Sequence, residues 1–206
     1  MSVPGQNVEL TPIHSRGISV SGNDIKHNDI SGDLNIGSTV VKLPSYDISV
    51  GAESLKVLIK EHEKLKEESP IYLYVLEELQ SKITDNESRK VIGLENKLIK
   101  ANKLTFFDEA LISSQKASKM ILRFQNVKSY QIIFNHVLSL IITRFRSHVA
   151  PLIKDGVDDL TVKTMINTVI VEPLNQEVSL AGGYITSELI EGMLYFLTEK
   201  CHVEWI

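Results

Sequence analysis

One stretch constrains this chain more than any other, "KSYQIIFNHVLSLIITRFRSHVAPLI" at 128–153. Tyr130, Ile133, Phe134, Val137, Leu138, Ile141 and Phe145 recur at helical spacing, and Ile132, Leu140 and Ile142 widen the stripe. Only a thin polar line remains, through Lys128, Gln131, Asn135, Ser139 and Arg146. A helix apolar around most of its circumference has to be wrapped by others, so the stretch predicts the central helix of a bundle over about 127–150. Its longest apolar run, 132–142, is broken by Asn135 and His136 and falls short of the ~20 residues that cross a bilayer. No membrane contact is expected, and Pro151 is expected to end the helix.

The neighbouring sequence supplies the wrapping. Helices are predicted over about 52–67 and 70–83, the second opened by Ser69 as cap and Pro70 at its first position. Asp85 or Asn86 can cap a third over about 87–100, and Thr105 opens a fourth over about 106–124. A sixth runs over about 159–171 and stops before Pro173, "AGGY" at 181–184 is a turn, and a seventh covers about 186–199. The closing "CHVEWI" alternates Cys201, Val203 and Trp205 against His202 and Glu204, which reads as a short strand or an extended tail.

Residues 1–50 are written differently from 51–206. They are rich in Gly, Ser, Asn and Asp, and "GNDIKHNDISGDLNIG" at 22–37 repeats Asn-Asp-Ile five residues on. Isolated apolar residues between turn formers suggest very short strands, with Ile18, Val20, Ile25, Ile30, Leu34, Ile36 and Val40 facing inward. So few side chains cannot bury a core alone, so the segment has to pair with other copies, with a partner or with the helical domain; a loose tail is the alternative. The fold expected is mainly α, a bundle of about seven helices over 51–206 behind a short N-terminal β-rich segment that self-associates or docks.

The chemistry-bearing residues do not assemble into a catalytic pattern. There is one cysteine, Cys201, so no internal disulfide and no Cys-rich zinc motif. It neighbours His202, but adjacent side chains on an extended segment point apart and cannot form a dyad, so Cys201 reads as a small buried hydrophobe. The six histidines are scattered, with no pair at i, i+4, and His62 reads as a satisfied core or boundary residue. Neither a phosphate loop nor a dinucleotide fingerprint appears. Catalytic residues, cofactor and metal are all expected to be none.

With 22 basic and 26 acidic residues the net charge is −4, which gives no global pull toward nucleic acid or anionic membrane. One local feature runs the other way: Lys116, Lys119 and Arg123 share a helical face, with Lys128 following. A solvated face is the plainer reading, and contact with an acidic partner or with phosphates is the alternative. The N-terminus lacks a basic region followed by an apolar run, so no signal peptide is expected, and a lone thiol suits the cytoplasm.

The closing "GMLYFLTEKCHVEW" carries a resemblance. Gly192, Met193, Tyr195, Phe196, Leu197, Thr198, Cys201, His202 and Trp205 match the ending typical of the C-terminal-domain modules of bacterial ABC-three-component systems. "VIGLENKLIKANK" at 91–103 and the stretch from Phe106 to Ile153 are similar to the same family, so that the resemblance covers about 70–206. Glu199-Lys200 departs from it, standing where the family has Gly-Asn. The resemblance implies a non-enzymatic adaptor in an anti-phage system, joined to an effector or an ABC-type ATPase from the same operon. A nucleic-acid-contacting subunit using the basic stripe of 116–146 is the second reading, and a Cys-dependent enzyme the third.

Overall fold

The computed structural model describes residues 33–36, 39–86, 88–90 and 92–205. Strand β1 (Asp33–Ile36) pairs antiparallel with β2 (Thr39–Lys42), with Leu34 opposite Val41 and Asn35 opposite Val40. Of the residues expected to mediate association, Leu34, Ile36 and Val40 fall on this pair, and Ile18, Val20, Ile25 and Ile30 lie outside the described residues.

From Ile48 onward the described chain is helical: α1 (Ile48–Lys64), α2 (Pro70–Ile83), α3 (Leu94–Lys100), α4 (Phe107–Phe124), α5 (Lys128–Arg144), α6 (Ala150–Lys154), α7 (Asp159–Ile166), α8 (Glu172–Leu180) and α9 (Ser187–Glu199). A single 3₁₀ turn, Leu104–Phe106, leads into α4. Short side-chain caps explain several starts. Asp47 accepts the Val50 amide, Ser69 the Tyr72 amide, Asp158 the Thr161 amide and Thr186 the Leu189 amide.

Two expected stops are overturned. Pro151 does not end the central helix, and Pro173 does not end the sixth. In each case five π-helical residues, Phe145–Val149 and Asn167–Val171, precede the proline, and the helix continues as α6 and α8. The residue before each proline bonds one position further back than in an α-helix: the Ala150 amide reaches Phe145 O, and the Glu172 amide reaches Asn167 O. The wider turn makes room for a ring that would otherwise strike the carbonyl four residues upstream. Counted as continuous rods, the described helices number seven. A third correction concerns α3, which starts at Leu94 behind Gly93 rather than near residue 87; Asn86 is used elsewhere.

Helix α5 contacts α1, α2, α4 and α9, as expected of a central rod. Part of its polar line is spent on contacts within the bundle. Gln131, fully buried, faces His62 Nε2 at 2.9 Å and donates to the Tyr72 hydroxyl at 3.2 Å. Asn135 donates to Val75 O at 2.7 Å and accepts from Lys82. Helix α9 is buried more completely still, with every residue from Gly192 to Thr198 in the core. It lies along α4 so closely that a Cβ at Gly192 would sit 2.9 Å from the Ser113 carbonyl carbon, and nearer still to its oxygen. A side chain there would force the two backbones apart.

Candidate functional site

The residues with unusual chemistry converge at the C-terminal end of α9. That helix closes with the Cys201 amide donating to Thr198 O and the His202 amide donating to Leu197 O, at 3.1 and 2.8 Å. This is a Schellman turn, which needs a left-handed residue just past the helix. The same turn ends α3 with Asn102, α6 with Gly156 and α8 with Gly182. At α9 the left-handed position (φ 64°) belongs to Cys201, a residue with a Cβ in a place glycine favours. Residues 201–205 thus alternate in burial, as read, but through a turn that pairs with no strand among the described residues.

Two side chains and one backbone amide from outside α9 fasten this turn. Lys97, on α3 and nearly buried, points its ammonium at the open helix end. It donates to the Thr198 and Glu199 carbonyls and lies 3.0 Å from Cys201 Sγ. A cation at a helix C-terminus meets both the unbonded carbonyls and the negative end of the dipole. Arg89 donates to Cys201 O at 2.8 Å and pairs with Glu204 at 3.2 Å. The backbone amide of Asn86 donates to Lys200 O at 2.9 Å. His202 bridges to Thr84 O at 2.9 Å.

Trp205 completes the corner. Its indole N–H donates to Thr198 Oγ1 at 2.9 Å, and that hydroxyl donates in turn to Leu194 O. Its ring, 1% exposed, meets Phe106, Phe145 and Tyr195 with centroids 5.2–5.9 Å away. Burial of the Tyr195 hydroxyl, with Glu191 and Glu109 nearby, pushes its pKa far up. A cavity of about 270 Å³ opens beside the turn, lined by Arg89, Lys90, Ile92, Lys97, Lys100, Cys201, Glu204 and Trp205.

Of the matched motif residues, Gly192 sets the α4–α9 approach, Met193, Phe196 and Leu197 are core, and Tyr195, Thr198, Cys201, His202 and Trp205 build the corner. The Cys201–His202 pair is separated: the thiol faces Lys97, the imidazole faces Thr84. The cations that hold the thiol's surroundings, Lys97 and Arg89, were invisible as a site because they lie more than a hundred residues upstream. The signal on offer was the lysine four residues after Gly93, in the same stretch that carries the resemblance.

The basic stripe is not a continuous cationic face. Lys116 is paired with Glu188, and Lys128 is docked on Leu65 O at 2.7 Å over the Tyr72 ring. Lys119 and Arg123 remain exposed, with Arg123 over Phe124. A second polar cluster, unforeseen, lies under α1. Glu177, 4% exposed, faces His136 Nε2 at 2.7 Å and Arg144 at 3.7 Å, and Arg144 lies 4.0 Å over the Tyr46 ring. Gly51 admits the Glu177 carboxylate, since a Cβ there would overlap it. Burial lowers the Arg144 pKa, and burial together with Arg144 lowers that of His148. Among the described residues no three His, Cys, Asp or Glu side chains group as metal ligands, and no described helix is long and apolar enough to cross a membrane.

The family model for C-terminal domain 9 of the ABC-three component (ABC-3C) systems matches residues 93–205, from the start of α3 to Trp205. No curated protein and no solved structure matches the chain.

Proposed function

The chain belongs to the C-terminal domain 9 family of the ABC-three-component systems, and from that premise we propose that it is a non-enzymatic adaptor of a bacterial anti-phage defence system. In this reading the helical domain holds an effector or an ABC-type ATPase of the same system, and the N-terminal segment brings copies of the adaptor together in the cytoplasm. The family match carries the proposal, since a multi-component system needs partner proteins.

Two features support it. Cys201, the one nucleophile the sequence offered, is 1% exposed, the burial of a packing residue. Leu58 and Tyr74, about half exposed or more, flank a groove between α1, α2 and α5 that Val75 and Ile132 line together with polar residues such as Glu78, Asn135 and His136. Exposed large apolar side chains beside a groove with polar groups are surface that a partner subunit can cover. The nucleic-acid reading loses ground with the pairing of Lys116 and the docking of Lys128.

Size-exclusion chromatography with light scattering on full-length protein and on a chain lacking residues 1–45 tests self-association; equal monomer masses would remove that part. Affinity capture from the native host, with Leu58→Asp and Tyr74→Asp as variants, tests partner binding. The proposal expects an effector or ATPase of the system to be captured by the wild type and lost with the variants. Hydrolytic or transferase activity that disappears in Cys201→Ser at unchanged melting temperature would overturn the non-enzymatic reading.

A further inference from the structure

We propose that the cavity beside the α9 turn binds a small organic anion: a compact apolar body, about one ring in size, carrying a phosphate or a carboxylate. Four cationic side chains line it, Arg89, Lys90, Lys97 and Lys100, against one carboxylate, Glu204. That excess stands in a chain whose net charge is −4, so the local field opposes the global one.

The cations divide by depth. Lys97 lies deep, and its hydrogens are already directed at Thr198 O, Glu199 O and Cys201 Sγ. It supplies charge at the floor and no new contact. Arg89 is engaged by Cys201 O and by Glu204. Lys90 and Lys100 are exposed at the mouth, and among the described residues neither makes an ion pair. They are the groups with ammonium hydrogens to offer.

The walls narrow the ligand class. Ile92 and Trp205 supply the apolar part of the lining. Inorganic phosphate would answer the cations and leave these walls bare; a neutral hydrocarbon would do the reverse. An amphiphilic anion satisfies both, in the manner of small-molecule pockets with apolar walls and a few placed polar groups. The volume of about 270 Å³ sits at the small end of such pockets, which excludes a dinucleotide and suits a single ring. The ligand would rest against the Cys201 turn, joining α3 to α9. This inference does not depend on the adaptor reading, because it concerns a ligand rather than a protein partner.

Trp205 is the only tryptophan, so its fluorescence reports on its own cavity. Full-length protein would be titrated with phenyl phosphate, phenylacetate, benzyl alcohol and inorganic phosphate. At least one of the two aromatic anions is expected to give a saturable change that weakens with added salt, and the stronger of them identifies the head group. Benzyl alcohol and inorganic phosphate should bind about tenfold or more weaker, and Lys90→Gln/Lys100→Gln should weaken the anion by about tenfold. Both substitutions are on exposed side chains, and an unchanged melting temperature verifies that the variant is folded. The proposal is overturned by no saturable response to either anion in fluorescence and in ligand-observed NMR, or by benzyl alcohol binding as well as the anions. An unchanged affinity in the double variant overturns it too.

Discussion

Lys97 Nζ stands 3.0 Å from Cys201 Sγ while its remaining hydrogens go to the last carbonyls of α9. One cation from α3 thereby closes a helix that begins ninety residues later in the chain. Lys97→Met keeps much of the aliphatic stem and removes the donor, leaving buried carbonyls without it. The expected loss is about 2–3 kcal/mol in urea denaturation. A loss below about 0.5 kcal/mol would mean water replaces the ammonium freely.

Gly192→Ala should destabilise by at least about 2 kcal/mol, because the added methyl meets the Ser113 backbone rather than a side chain that can swing aside. Thermal melting reads it directly. An unchanged melting temperature would show that α4 and α9 can separate at no cost.

Glu177 and Gly51 should be energetically coupled. Gly51→Ala drives a Cβ into the Glu177 carboxylate and so into its contacts with His136 and Arg144. Alone it should cost about 1–3 kcal/mol. Glu177→Ala should cost about 3 kcal/mol by leaving Arg144 buried without its carboxylate. In the Glu177→Ala background, Gly51→Ala should be close to neutral, and a double-mutant cycle measures the difference. Additive losses would sink the coupling.

Among the contributions to the pH dependence of stability, those of His202 and Glu191 oppose each other. Burial above all lowers the His202 pKa; Arg89 and Lys82 add to the shift and the Thr84 carbonyl works against it. The unfolded chain then takes the proton more readily, so stability is lost as pH falls through about 6.5 toward the lowered value. His202→Gln should flatten that part of a stability–pH curve.

Glu191 behaves oppositely, raised by burial and by Glu109. Its contribution is complete below about pH 4.3 and is lost as pH rises through the raised value. Glu191→Gln should therefore raise stability near neutral pH and have no such benefit in acid. A uniform effect across the range would contradict the assignment.

Much of this architecture is legible in the sequence, for local reasons. Ser69-Pro70 and the apolar register behind them place α2 within a residue, because cap and proline act on their own turn. Pro151 and Pro173 mislead by the same logic. Whether a proline stops a helix depends on whether five residues before it can widen into a π turn, and packing decides that. The corner is legible only in part. The closing motif marks its place, but its fastening cations come from a different helix and a loop, and no local spacing records a contact made across a hundred residues. Cys201 is misread as part of an extended alternation since nothing local announces a left-handed backbone at a residue other than glycine or asparagine.

The two π turns also set a rule for length. Each rod holds one residue more than an α-helix would need before its proline, and that surplus residue is what keeps the rings clear of the backbone. Deleting one residue from 145–149 would scarcely shorten the rod. It would turn the π segment into an α turn that leaves Ile153 in register, and it would drive the Pro151 ring against the carbonyl four residues before it. The proline-bearing rods are therefore places where this chain can exchange side chains but cannot drop a residue.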